Sequence, residues 1–153
     1  AIGIEFAAMR YGPVAGPWCG PGGGGPTVMF RDMMDAAIQG REAVVPGAAL
    51  EWVYSKDAAL GTVLALQAAS LPSRVFNITM GKATTAEELS AALKEVFPQV
   101  KIRFDKPAVA SSARAKPAEI TRAKKILGYE PQFPMVKAMR DYAEWSARFA
   151  KAG

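Results

Sequence analysis

Short apolar runs alternate with amphipathic stretches along this chain, and no other feature constrains its fold as strongly. Apolar residues recurring at helical spacing mark a helix face, whereas a compact apolar run bounded by turn residues marks a strand. Ile2–Met9 is such a run, followed by Arg10 and a Gly/Pro-rich loop expected to end near Pro26. Thr27–Gln39 carries Val28, Met29, Met33, Ala36 and Ala37 at helical spacing and stops at Gly40. Ala43–Val45 is a short strand before the Pro46-Gly47 turn, and Leu50–Tyr54 is a second extended piece. Ser55–Ala69 reads as a helix with Ser55 as its N-cap and Asp57 in the first turn, where the dipole favours a negative charge. Leu60, Val63, Leu64 and Leu66 form its apolar side. Arg74–Thr79 is a strand. Thr85 to Glu88 matches a capping box, followed by a Leu89, Ala92, Leu93, Val96 stripe that Pro98 ends. Val100–Phe104 alternates as a half-buried strand, and Asp105–Pro117 is irregular and polar. Ala118–Leu127 is a helix closed by Gly128. Met135–Ala150 is the last helix, with Met135, Met139, Tyr142 and Phe149 on its buried side. The alternation predicts an α/β fold in a single unit, residues 1–153.

The stretch VAGPWCGPGGGGP, Val14–Pro26, follows a strand and precedes a helix, as a phosphate-binding loop does. Its glycines miss the G-x-G-x-x-G spacing, and Pro17, Pro21 and Pro26 remove three N–H donors. It reads either as a mobile loop beside a site or as a connector.

Composition excludes much chemistry. The 153 residues contain no histidine and one cysteine, Cys19. No zinc signature, Ser-His-Asp or Cys-His arrangement is therefore available, and no internal disulfide. The lone thiol suits a reducing compartment, which points to the cytoplasm. No run approaches the ~18–20 apolar residues of a membrane span. The opening AIGIEFAAM lacks the basic region of a signal peptide and reads as if cut from something longer. Residues 1–100 hold seven Lys/Arg against nine Asp/Glu, and residues 101–153 twelve against five. Aromatic residues are sparse in the basic part, so it reads as a solvated surface rather than a nucleic-acid site.

Four segments, in order, carry a resemblance. They are RYGPVAGP (Arg10–Pro17), WVYSKDAALGTVLAL (Trp52–Leu66), VFNITMGKATTAEEL (Val75–Leu89), and KKILGYEP (Lys124–Pro131) with the helix after it. Together they resemble the C-terminal half of the extended short-chain dehydrogenase/reductase family, the NAD-dependent epimerase/dehydratase group that includes the nucleotide-sugar epimerases. The resemblance implies the substrate-binding lobe of that fold, plus strands that would complete a Rossmann sheet whose N-terminal half lies elsewhere. In the family that half carries the glycine fingerprint and the catalytic Tyr-x-x-x-Lys. Here Tyr11, Tyr54, Tyr129 and Tyr142 are followed four residues on by Ala15, Ala58, Phe133 and Ser146, so no catalytic residue is assigned.

The resemblance implies cofactor contacts from Tyr11, Gly12 and Pro13. It implies substrate contacts from Trp18, Thr27, Trp52, Tyr54 and Arg114, with core burial an open alternative for Trp52 and Tyr54. Leu50 stands where the 4-epimerase branch has a diphosphate-gripping arginine. The parent enzyme would use NAD or NADP, held only loosely by this chain, and a nucleotide sugar. Strands missing their neighbours imply a homodimer. The alternative is a non-catalytic small-molecule binding or interaction domain derived from the same family.

Overall fold

The computed structural model describes residues 5–17, 24–106 and 116–149. In chain order its elements are β1 (Ala8–Tyr11), β2 (Val14–Ala15), α1 (Gly25–Ile38), β3 (Ala43–Val45), β4 (Val53–Tyr54), α2 (Ser55–Gln67), β5 (Val75–Ile78), α3 (Ala86–Val96), β6 (Ile102–Phe104), α4 (Thr121–Leu127) and α5 (Met135–Phe149). The strands form three parallel pairs, β1 with β5, β2 with β4 and β3 with β6. Parallel neighbours need crossovers, and the intervening helices supply them, so the fold is α/β as expected.

Two apolar cores form. One gathers Phe30, Met33 and Met34 of α1, Val45 of β3, Leu89 and Leu93 of α3, and Met139 and Tyr142 of α5. The other gathers Phe76 and Ile78 of β5, Ala58 and Ala65 of α2, Ala123 and Leu127 of α4, and Tyr129. The segment entering β4 joins them. Side chains alternate along an extended chain, so Trp52 and Tyr54 enter the first core while Val53 enters the second.

Several local expectations hold. Thr85 Oγ1 accepts from the Glu88 N–H at 3.2 Å, and the Glu88 carboxylate accepts from the Thr85 N–H at 2.9 Å, which completes the capping box. Gly128 closes α4 at φ 68°, a left-handed cap that favours glycine.

Others are corrected. The first strand lies at Ala8–Tyr11 rather than over Ile2–Met9, because the four residues of β5 set its register from Ala8 opposite Val75 to Tyr11 opposite Ile78. Residues 1–4 lie outside the description. Val14–Ala15, placed in the loop by sequence, pairs with β4. Leu50 makes only an isolated bridge to Thr84, which leaves Val53–Tyr54 as strand. Helix α1 starts at Gly25 with Pro26 in its first turn, where a missing N–H costs little. Ser55 is the first helical residue of α2, and Tyr54 precedes it without a side-chain cap. Helix α4 begins at Thr121, not Ala118.

The largest correction concerns the face of α2. Its buried residues are Asp57, Ala58, Gly61 and Ala65, while Leu66 is 84% exposed and Val63 45%. The small residues let the helix lie close on the sheet. A Cβ on Gly61 would stand 2.8 Å from the Ile78 side chain. Phe149 is likewise exposed and stacks on Trp145, with ring centroids 4.8 Å apart.

The outer edge of β5 is covered. Asn77 donates to the Glu119 carbonyl at 2.9 Å, and Arg122 donates to the Val75 carbonyl at 3.3 Å. The other edge of β1 has no partner strand among the described residues.

Candidate ligand site at the carboxyl ends of the strands

Because β1 and β5 are parallel, their carboxyl ends lie side by side. Open α/β sheets bind ligands outside these ends. Three chain segments converge there. The Gly12 N–H donates to the Ile78 carbonyl at 3.4 Å, the Val53 N–H to the Pro13 carbonyl at 3.0 Å, and the Met80 N–H to the Trp52 carbonyl at 3.3 Å. A Cβ on Gly12 would stand 2.4 Å from the Glu51 carbonyl oxygen, so only glycine allows this approach.

Glu51 sits at the centre of the junction. Thr79 Oγ1 donates to its Oε1 at 2.6 Å, and the Ala118 N–H donates to its Oε2 at 2.7 Å. Thr79, buried at 2%, also accepts from the Gly81 N–H at 3.0 Å, and its carbonyl accepts from the Tyr129 hydroxyl at 3.1 Å. Tyr11 is 45% exposed. Thr62 spends its hydroxyl proton on the Ala58 carbonyl at 2.9 Å, so Tyr11 donates to Thr62 Oγ1 at 2.5 Å. A groove of about 370 Å³ opens at Met80 and passes Lys82 and Thr84 between α3 and the start of α5.

The remaining sequence-derived site residues are placed as follows. Thr27 lies in the first turn of α1, one turn before Phe30. Trp18 and Arg114 fall outside the described residues. Trp52 and Tyr54 are enclosed at 1% and 2% exposure. Trp52 packs on Phe30 with centroids 5.5 Å apart, and its Nε1 has no partner among the described residues. Tyr54 donates to Asp141 Oδ2 at 2.7 Å. Both rings therefore take the core-packing role that the sequence also allowed, and neither presents a face to solvent. Glu51 and Thr79 were missed by sequence. The one visible signal was a lone acid between Leu50 and Trp52, which needs hydrogen-bond partners that spacing does not reveal.

Asp57 also takes a role other than the one its position implied. It is 1% exposed, and its two oxygens accept from the Gln132 N–H at 2.8 Å and the Phe133 N–H at 3.0 Å. It thus pins the connection between α4 and α5.

Among the described residues no cluster of His, Cys, Asp and Glu could hold a metal, and no helix is long and apolar enough to cross a membrane. The space a Gly12 side chain would fill is taken by the Glu51 carbonyl, and the Tyr11 hydroxyl is engaged by Thr62.

Burial pushes the phenols of Tyr54, Tyr129 and Tyr142 above the ordinary 10.0, helped by the nearby carboxylates of Asp141, Asp57 and Asp35 respectively. Burial opposes ionisation of Asp141 too, but hydrogen bonds from Lys56 and Tyr54 outweigh it and hold that carboxyl below its usual range. The three tyrosines set an alkaline limit. Above pH 10 the unfolded chain loses phenolic protons that the fold retains, so stability is full below that pH and falls above it. The slope approaches about 1.4 kcal/mol per pH unit for each tyrosine. In a pH titration of a Tyr11→Phe variant, which leaves only the three buried phenols, tyrosinate absorbance and loss of circular dichroism should rise together. Ionisation of all three tyrosines with the fold intact would contradict this.

No family model matches the sequence, and no curated protein sequence does. Solved structures match by fold. UDP-glucose 4-epimerase of Thermotoga maritima, solved with UDP-glucose, is 25% identical, with a TM-score of 0.76 over 97% of this chain and 48% of its own. A GalE-like L-threonine dehydrogenase of Cupriavidus necator is 24% identical, with a TM-score of 0.78 over 93% and 53%. UDP-glucuronic acid 4-epimerase of Bacillus cereus, solved with UDP-glucuronic acid and NAD, is 18% identical, with a TM-score of 0.70 over 94% and 45%. The chain spans about half the length of the structures it matches. Over that half it has the fold of the extended short-chain dehydrogenases/reductases, and its neighbours include nucleotide-sugar epimerases, one of them solved with NAD.

Proposed function

We propose that residues 1–153 are the substrate-binding lobe of an NAD(P)-dependent nucleotide-sugar epimerase/dehydratase, inactive without a cofactor-binding half. The observation that supports this most is the junction of Gly12, Glu51 and Thr79 at the carboxyl ends of β1 and β5, in a fold matching half of a UDP-glucose 4-epimerase. The ligand is a nucleotide sugar, and the setting is cytoplasmic. In this reading Tyr11, Gly12 and Pro13 are the cofactor contacts, and Thr27 and Arg114 serve the substrate.

The test has two arms. Calorimetric titration with UDP-glucose, UDP-glucuronic acid and other nucleotide sugars should give saturable binding to at least one of them. The purified chain with the same sugars and NAD should form no NADH above a no-protein control. Binding of none, or NADH formation by the chain alone, would overturn the reading. The edge of β1 that lacks a partner strand among the described residues further supports pairing of two copies in solution, so light scattering should report a dimer. A monomer at high concentration would rule that out.

A further inference from the structure

We propose that Glu51 is a positioning residue, which holds the end of β5 and the segment before α4 in register at the carboxyl end of β1. Three separate parts of the chain meet on this one residue. Its carbonyl fills the space beside Gly12, its Oε1 takes the Thr79 hydroxyl, and its Oε2 takes the Ala118 N–H. Thr79 passes the constraint onward by accepting from the Gly81 N–H, which orients the turn leading to the groove at Met80 and Lys82. The other described hydrogen bonds of residues 116–120 lie farther along. Asn77 Nδ2 donates to the Glu119 carbonyl, Glu119 Oε1 accepts from the Thr121 N–H, and the Ile120 carbonyl accepts from the Lys124 N–H at the start of α4. The Ala118 N–H therefore depends on Glu51 alone among the described residues. An acceptor that carries charge makes the stronger kind of hydrogen bond, and its removal leaves both donors without a partner.

This role rests on the ligand site proposed above, because positioning matters there only if a ligand binds. The experiment keeps the two claims apart. Glu51→Met keeps the length of the side chain and removes both acceptors, whereas Glu51→Gln keeps one carbonyl oxygen. Amide hydrogen exchange on the full chain should quicken at Ala118 and Gly81 by about tenfold or more in Glu51→Met, and less in Glu51→Gln. Amides of α1 and α3 should keep their wild-type rates. Unchanged exchange at Ala118, or equal acceleration in every helix, would overturn the positioning role whatever the chain binds. Affinity for the nucleotide sugar found to bind wild type should fall about tenfold in Glu51→Met, the scale expected when a binding group is misplaced. Wild-type affinity in Glu51→Met would also overturn it. If wild type binds no nucleotide sugar, the functional reading fails and the exchange data alone decide the role of Glu51.

Discussion

Replacing Phe30 with alanine should lower the stability of this chain by about 3–5 kcal/mol, the usual cost of emptying a buried phenylalanine site. Phe30 is 0% exposed. Its ring lies against Trp52, with centroids 5.5 Å apart, and edge-on to Tyr142 at 6.1 Å. Those three rings tie α1, the approach to β4 and α5 together, so no neighbour can move in without dragging an element. The vacated volume stays open, and the cavity adds to the lost transfer energy. Domains of this size are held by roughly 5–15 kcal/mol, so the variant would lose a large part of its margin. Its melting temperature should drop by about 10 °C. Phe6→Ala is the matched control. Phe6 is 62% exposed, and its loss should change stability by no more than about 0.5 kcal/mol. Thermal unfolding followed by circular dichroism reads both. A Phe30→Ala loss below about 1.5 kcal/mol would show that the three rings are not packed as described.

Asp57→Ala should cost about 2–4 kcal/mol, for an electrostatic reason rather than a volumetric one. The carboxylate removes the need for water at two backbone donors, those of Gln132 and Phe133. Without it these N–H groups face the buried start of α2 with no acceptor. The damage should spread along α5. The Phe133 ring stacks on Tyr54 at 5.1 Å and lies under the Lys137 ammonium at 4.4 Å. Asp57→Asn retains one acceptor oxygen and should lose about half as much. Denaturant midpoints give the free energies, and amide exchange at Gln132 and Phe133 locates them. Wild-type exchange at both positions in Asp57→Ala would mean that Asp57 does not hold this connection.

These two residues differ in how far they could be foreseen. Phe30 lies in a helix that the apolar spacing predicts, although the stripe of Val28, Met29, Met33, Ala36 and Ala37 does not include it. Asp57 sits where a helix dipole favours an acid, and a dipole role was the natural reading. Its actual partners stand 75 and 76 residues away. The same split runs through the fold. The capping box at Thr85, the stop at Gly40 and the cap at Gly128 depend on a few adjacent residues and were legible. The buried face of α2 was not. Leu60, Val63, Leu64 and Leu66 form a stripe as regular as that of Ala58, Gly61 and Ala65. The choice between them comes from how closely the helix must approach Ile78.

At the candidate site, neither the close approach of Gly12 to the Glu51 carbonyl nor the partners of the Glu51 carboxylate were legible. The Glu51 carboxylate meets donors 28 and 67 residues distant in the chain. Helix boundaries, caps and the α/β class are short-range properties, written by backbone preferences and apolar spacing within a turn or two. Which faces meet, and which polar groups find one another, depends on how the parallel strands stack. Burial then demands partners that the chain can supply only once it has folded.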